Sequence, residues 1–141
     1  MKEKYTHVDP EKIDRRIAEM RRHFPDAEVE GYDALIPAMT NVVHDRHVLA
    51  AAVRAHAAVI VTENTKHFPS DACSPYDIDV QTPDDFLCHL WHLKPKTMAA
   101  LLRQQAGDLS NPKLTVVDII SRLQKRAPGF TETAWISGQF D

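Results

Sequence analysis

A short apolar run near the middle of the chain, "VIVT", ends in residues that can do chemistry. Thr62, Asn64 and His67 follow in close succession and offer a hydroxyl, an amide and an imidazole. If the run is a buried parallel strand, its carboxyl end is the edge of an open α/β sheet where binding sites form. A hydroxyl and an amide at that edge can hydrogen-bond a phosphate or a metal-bound water. The alternative is that Thr62 and Asn64 only satisfy the backbone of a turn.

Asp45 is the candidate carboxylate that precedes this run in the chain. It stands immediately before an alanine-rich segment, "RHVLAAAVRAH", where an acid serves as the N-cap or first-turn residue of a helix without any further role. The functional alternative is that Asp45 is one carboxylate of a Mg²⁺ or Mn²⁺ site, because these hard cations are held by acid oxygens and water.

Histidines offer a second kind of chemistry. His44 with His47, and His89 with His92, each repeat the spacing i, i+3. Either pair can supply two imidazoles to a transition metal, but a zinc site needs three or four ligands. His67 can act as an acid or base or bind a softer metal, and its alternative is a substitution tolerated after activity was lost.

The elements that must position these residues alternate between helix and strand. Asp9 and Pro10 predict the start of an amphipathic helix, with Ile13, Ile17, Met20 and Phe24 at helical spacing. A second helix is predicted from Asp45 to about His56. Three short strands are predicted, in "FPDAEVEGY", "AAVIVT" and "IDVQT".

The last third of the chain is predicted to be helical. Thr82 and Pro83 open one helix, "DDFLCHLWHL", by a cap followed by proline. Two further helices are predicted at about 96–106 and 116–125, the latter capped by Thr115. The order of helices and strands therefore predicts an α/β fold.

Composition limits the class of protein. The chain has 141 residues, 43% of them hydrophobic, and a formal net charge of −3, which predicts a single domain with a core. Its apolar runs are too short for a membrane span and its N-terminus lacks a secretory signal, so we expect a cytoplasmic protein. The two cysteines, Cys73 and Cys88, have no metal-like spacing and are expected to be free thiols.

Two strings then carry a resemblance: "DRHVLAAAVRAHAAVIVTENTKHFP" and, after it, "YDIDVQTPDDFL". Together they combine an Asp-Arg-His helix start, an alanine-rich helix, a "VIVT.N" strand and a "TPD.FL" helix in one order. The chain resembles the second half of a PIN domain, in the VapC-like branch of toxins from bacterial toxin–antitoxin systems. The upstream "RRIAEMRRHFPDAEVEGYDALIPAMTN" and the later "NPKLTVVDIISRL" also resemble this branch.

The resemblance implies a ribonuclease that cleaves RNA phosphodiesters with Mg²⁺ or Mn²⁺. It implies Asp45 as a metal ligand. The predicted catalytic residues are Asp45 together with the candidates that follow the strand, Thr62, Asn64 and His67. The family's pattern opens with a strand ending in aspartate and a helix bearing glutamate, and this sequence begins after both. A further aspartate of the pattern is His67 here, and Val42 and Val43 stand where an Asp-Pro pair is common.

These departures lead to two expectations. The chain is expected to have a PIN-like three-layer fold that lacks the family's first strand, with a truncated PIN-like domain at 1–93 and a helical extension at 94–141. Its partners are expected to be a cognate antitoxin or an N-terminal partner fragment, RNA, or a second copy in a homodimer. Its function is either RNA cleavage at an incomplete acidic site or, as the alternative, non-catalytic binding by a truncated module.

Overall fold

The computed structural model describes residues 9–138 and 140 of the chain. Within these residues it contains seven α-helices and two β-strands. In chain order these are α1 Pro10–His23, α2 Arg46–Arg54, β1 Val59–Val61, α3 Ser70–Cys73, β2 Asp79–Gln81, α4 Pro83–Leu93, α5 Pro95–Asp108, α6 Val116–Leu123 and α7 Pro128–Ile136. Short 3₁₀ turns connect several of them, including Asp33–Ala38, Val43–Asp45 and Thr65–His67.

Local capping explains where three of the helices begin. The Asp9 carboxylate accepts a hydrogen bond from the Glu11 backbone N–H before α1. The Thr82 hydroxyl accepts from Asp85 N–H at α4. Thr115 and Asp118 form a reciprocal capping box at α6. The predicted helix starts are confirmed because these contacts depend only on neighbouring residues.

The sheet consists of two parallel strands. Val59 lies opposite Asp79 and Val61 opposite Gln81, and Ile60 at the centre of β1 is buried. The α/β class is therefore confirmed, whereas the three-layer PIN-like arrangement without a first strand stays a prediction.

The strand predicted in "FPDAEVEGY" is wrong. Pro25–Ala27 form a 3₁₀ turn, and residues 28–30 are irregular. A strand needs a neighbour to satisfy its backbone groups, and this segment pairs with no strand in the described part of the chain. Its Glu28 side chain instead accepts a hydrogen bond from Arg21 Nε at 2.6 Å.

Buried apolar side chains form two clusters. One lies around the sheet and α2 and consists of Met39, Leu49, Ala50, Ile60, Phe68, Ala72, Cys73 and Ile78. The other lies among α4–α7 and consists of Trp91, Ala99, Leu102, Ile119, Ile120, Ala127, Phe130 and Ala134. Trp91 of α4 belongs to the second cluster, so α4 packs with the helices that follow it. The predicted division into 1–93 and 94–141 remains a prediction.

Helices α3 and α7 were not predicted from the sequence. Cys73 is the buried last residue of α3. The "APGF" at the start of α7 is typical of a turn, because proline and glycine interrupt regular structure. Among the described residues, no helix is long and apolar enough to cross a membrane.

Candidate functional site

Asp45 and His67 form a close side-chain pair at the carboxyl end of β1. The distance between Asp45 Oδ2 and His67 Nδ1 is 2.6 Å. An ionised carboxylate can only accept, so in this contact Nδ1 of the imidazole is the donor. In the neutral imidazole with its proton on Nδ1, the other ring nitrogen, Nε2, has a lone pair. The His67 side chain is 42% exposed and that of Asp45 24%, so a ligand can approach the pair from solvent.

The backbone around Asp45 directs its carboxylate away from the helix that it precedes. Asp45 ends a 3₁₀ turn, with its N–H bonded to Val42 O at 2.9 Å. It occupies the N-cap position of α2, but its side chain makes no capping hydrogen bond. Helix capping therefore does not account for this aspartate, and its carboxylate contacts His67 instead.

His67 is held by its own loop and by Asn41. Its N–H donates to Asn64 O at 2.9 Å in the 3₁₀ turn Thr65–His67. Its carbonyl accepts from Asn41 Nδ2 at 3.3 Å, and the next residue, Phe68, is buried. The main chain that carries the imidazole is thus fixed on both sides.

Asn41 is a site residue that sequence reasoning missed. The residue is buried, with a relative exposure of 3%, and its backbone carbonyl accepts a hydrogen bond from Arg46 Nε at 3.1 Å. Its Oδ1 is buried with no hydrogen-bond partner among the described residues, which is rare in folded proteins. The sequence shows only an asparagine between Thr40 and Val42, which is typical of a turn.

Thr62 and Asn64 make the turn contacts that the sequence analysis gave as the alternative to a catalytic role. The Thr62 hydroxyl accepts from Asn64 N–H at 3.1 Å, and Thr62 N–H donates to Gln81 O at 2.9 Å. Both contacts satisfy backbone at the end of β1. Asn64 is exposed. The structure therefore brings Asp45 and His67 together, while Thr62 and Asn64 shape the turn beside them; a catalytic role for either stays a prediction.

The other histidines do not gather into a metal site. His44 and His47 are exposed. His89 Nδ1 lies 3.1 Å from Gln81 Oε1, and His92 Nδ1 lies 2.8 Å from Cys88 O. Across residues 9–138 and 140, no group of three or more His, Cys, Asp or Glu side chains is placed to hold a metal ion.

The Mg²⁺ or Mn²⁺ implied by the resemblance does not fit the described donors as they stand. Mg²⁺ requires near-octahedral oxygen coordination, with carboxylates and water as ligands. This site offers one carboxylate, and one of its two oxygens, Asp45 Oδ2, already contacts an imidazole. Such a cation would need further carboxylates from a partner chain or from outside the described residues.

Both cysteines are free thiols, as predicted. Burial is the main cause that raises the pKa of Cys73, and the Asp71 charge adds to it. Burial is also the main cause that raises the pKa of Cys88, with Asp84 second. A raised pKa keeps a thiol protonated and unreactive, so neither cysteine is a candidate nucleophile.

Asp84 connects the start of α4 to the start of α7. Its two carboxylate oxygens accept from Gly129 N–H at 2.9 Å and Phe130 N–H at 2.7 Å. An added Cβ at position 129 would lie 3.1 Å from Asp84 Oδ2, so a side chain there would press against this carboxylate. In the sequence Asp84 is one of two first-turn acids, and only the fold shows that it caps a second helix.

Comparisons with known proteins bear on these parts of the chain. The family model of the VapC50 C-terminal domain matches residues 83–134, which span α4 to most of α7. The Mycobacterium tuberculosis protein named "Putative ribonuclease VapC50" is 43% identical over 104 residues, which is 74% of this chain. The aligned part is 62% of that relative, so the chain spans about three fifths of its length. No solved structure matches the chain.

Proposed function

Because the chain belongs to the VapC-like toxins of the PIN family, we propose that it cleaves RNA phosphodiesters, with Asp45 and His67 as its reaction centre. The single observation that carries this proposal is the 2.6 Å contact between Asp45 Oδ2 and His67 Nδ1. The relative's name, a ribonuclease, supplies the class of substrate.

The pair has the arrangement of an oriented general base. When Asp45 holds His67 Nδ1–H, Nε2 of the partly exposed imidazole can accept a proton. A water oxygen that attacks phosphorus can give its proton to Nε2, and the carboxylate then stabilises the imidazolium. The bond from phosphorus to the leaving ribose oxygen breaks, and that oxygen takes up a proton from the imidazolium or from solvent. Lys66, exposed on the same turn, adds a positive charge for the phosphate.

The proposal includes the Mg²⁺ or Mn²⁺ that the resemblance implies, with Asp45 as the ligand that this chain contributes. The remaining carboxylates come from another chain or from residues outside the described part. When bound, the cation would supply positive charge at the phosphate. The proposal thus describes a composite active site.

The proposed partners follow from the family. A VapC-like toxin has a cognate antitoxin, and we propose such a partner, an N-terminal partner fragment, or a second copy in a homodimer. We also propose that the chain acts in the cytoplasm, where its RNA substrate is found.

A second candidate function is partner binding without catalysis. Apolar side chains are exposed around the site: Val43 is 68% exposed and Val61, at the end of β1, is 42% exposed. β1 pairs with β2 on one side, and in the described residues no strand pairs with its other side. An open strand edge with apolar side chains is a surface that another chain can extend.

Cleavage of a labelled RNA by the chain, alone and co-expressed with the product of the upstream reading frame, tests the proposed function. We expect Asp45→Ala and His67→Ala each to reduce the cleavage rate by about 10²-fold or more. His44→Ala is the matched control, because His44 adjoins Asp45 but lies outside the pair. No cleavage under any of these conditions, with stable partner binding, would favour the binding module.

The metal part of the proposal is tested by His67→Asp. This change replaces an imidazole with a second carboxylate beside Asp45, and two close carboxylates favour a cation between them. Isothermal titration with Mn²⁺ should therefore show tighter binding by His67→Asp than by the unmodified chain, with His67→Asn as the neutral control. Equal binding by all three would remove Asp45 as the centre of a cation site.

A further inference from the structure

Asn41 is a buried asparagine whose side chain is only half satisfied. It is 3% exposed, and the other buried polar residue in the described part of the chain, Thr131, is 2% exposed. The Thr131 hydroxyl donates to Pro128 O at 2.9 Å. The Asn41 side-chain oxygen, Oδ1, has no hydrogen-bond partner within residues 9–138 and 140. Burying an unpaired oxygen costs free energy, so stability does not explain why an asparagine stands here.

The contacts of Asn41 reach both loops that carry the proposed reaction centre. Its side-chain Nδ2 donates to the His67 carbonyl at 3.3 Å, across 26 residues of sequence. Its own backbone carbonyl accepts from Arg46 Nε at 3.1 Å, and Arg46 directly follows Asp45. Asn41 therefore contacts the residue that carries the imidazole and the neighbour of the residue that carries the carboxylate.

Few hydrogen bonds join these two loops, the segments 41–46 and 64–68. Both segments lie within the described chain, and the hydrogen bonds between them are the Asp45–His67 contact and the Asn41 bond to the His67 carbonyl. Each segment is otherwise closed by its own 3₁₀ turn, which fixes its shape but not its distance from the other segment. The Asn41 amide is therefore the polar contact that holds the His67 main chain close to Asp45.

We infer that Asn41 is a positioning residue of the proposed site, whose amide holds the His67 main chain where the imidazole reaches Asp45. This inference rests on the proposed function, because the pair that Asn41 positions is the proposed reaction centre. Natural proteins break the rules of buried polar groups at functional sites, and a site needs a supporting shell of residues that fixes its geometry. A displacement of about 1 Å can slow a reaction by about 10²-fold.

Nuclear magnetic resonance of the His67 ring nitrogens tests the inference without RNA. At alkaline pH, where the imidazole is neutral, the nitrogen chemical shifts show which ring nitrogen carries the proton. In the unmodified chain we expect the proton on Nδ1, held by Asp45. Asn41→Leu, which removes the amide, should shift the proton towards Nε2. Thr131→Val is the matched control, because it removes a buried hydroxyl far along the chain, and should leave the shifts unchanged.

A second variant, Asn41→Ala, keeps the test decisive if leucine overfills the space. Its small side chain also lacks the amide, so the His67 shifts should change as in Asn41→Leu. Ring nitrogens that stay unchanged in both Asn41 variants would overturn the inference. Loss of folding in both variants, measured by circular dichroism, would assign Asn41 a structural role and would overturn it as well.

RNA cleavage supplies the functional measurement. Both Asn41 variants should lower kcat by at least about tenfold and leave KM unchanged, because Asn41 acts on the position of His67 and not on the bound RNA. Thr131→Val should leave both constants unchanged. An unchanged kcat in an active chain would overturn the inference. If the unmodified chain cleaves no RNA, the proposed function fails, whereas the His67 nitrogen shifts still decide whether Asn41 positions the pair.

Discussion

The sheet region, from about Asp33 to Gln81, and the helical region, from α4 to α7, each bury a core but differ in the elements that form it. The helical region packs helices around Ile120, Phe130 and Ala134, and Trp91 packs edge-on to Phe130 with ring centroids 5.8 Å apart. The sheet region buries Leu49 and Ala50 as completely, but its two strands have three residues each, and Asn41 Oδ1 has no hydrogen-bond partner among the described residues. The sheet region is also the part that holds the proposed site.

The two regions also use their acids differently. Asp84 and Asp118 are fully engaged in capping helices of the helical region. Asp45 stands at a helix start without capping it and contacts His67 instead. A carboxylate that structure does not require is the stronger candidate for a function, and this contrast directs the tests below.

The largest expected loss of stability follows from a change in the helical core. Phe130→Ala removes a fully buried ring and its contact with Trp91, and should lower the free energy of unfolding by about 3–5 kcal/mol. Urea unfolding followed by circular dichroism measures it. Phe68→Ala is the matched buried ring of the sheet region and should cost less, because Phe68 is 5% exposed whereas Phe130 is 1% exposed and also contacts the Trp91 ring. An equal or greater loss for Phe68→Ala would remove the contrast between the regions.

A smaller loss of stability is expected from breaking the contact between α4 and the start of α7. Asp84→Ala leaves the Gly129 and Phe130 N–H groups without their acceptor in a partly buried place, at a cost of about 1–3 kcal/mol. Asp85→Ala is the matched control, since the side chain of this neighbouring acid contacts the exposed Thr82 hydroxyl. Urea midpoints that fall equally for both variants would contradict a special role for Asp84.

The capping box of α6 predicts a pH dependence. Two hydrogen bonds lower the pKa of Asp118 below its ordinary value. The larger effect comes from the Thr115 hydroxyl and the second from the Thr115 N–H. The unfolded chain therefore binds this proton more readily, and the stabilisation is present above the unfolded pKa and lost as the pH falls through the folded one. The melting temperature of Asp118→Asn should thus be lower than that of the unmodified chain at pH 7, and the two melting temperatures should converge in acid. A gap that stays constant with pH would exclude the charge of Asp118 as its cause.

The smallest effect, and the only stabilising one, is expected at the end of α2. His56 has a φ of 52°, and Ala57 N–H donates to Ala52 O while His56 N–H donates to Val53 O, as in a Schellman motif. Glycine adopts this conformation without strain, so His56→Gly should raise the free energy of unfolding by about 0.5–1 kcal/mol. Ala55→Gly, at the preceding position with φ −81°, should lower it. A loss in both variants would show that His56 makes contacts worth more than its backbone strain.

The sequence predicted those parts of the fold that depend on neighbouring residues. Asp9, Thr82 and Thr115 cap helices by contacts within three residues, so their roles could be read directly. The predicted strand at residues 28–30 failed because a strand depends on a neighbour elsewhere in the chain. Helix α7 was missed for the same kind of reason, since its start is capped by Asp84, 45 residues earlier.

The site shows the same limit. Asp45 and His67 were both predicted as site residues, but 22 residues separate them, and only the fold reveals that they touch. Asn41 was not predicted, because its importance lies in burial and in its bond to the His67 carbonyl. Residue types indicate which chemical groups are present in the chain. Only the contacts between distant loops show which of these groups lie together in one site.

A double-mutant cycle on RNA cleavage tests most directly whether Asp45 and His67 act as one unit. The cleavage rate is measured for the unmodified chain, Asp45→Asn, His67→Ala and the double variant, under the conditions that give activity. If the pair is the reaction centre, each single change removes most of the activity and the double change removes little more. Losses that multiply in the double variant, or single variants as active as the unmodified chain, would contradict it.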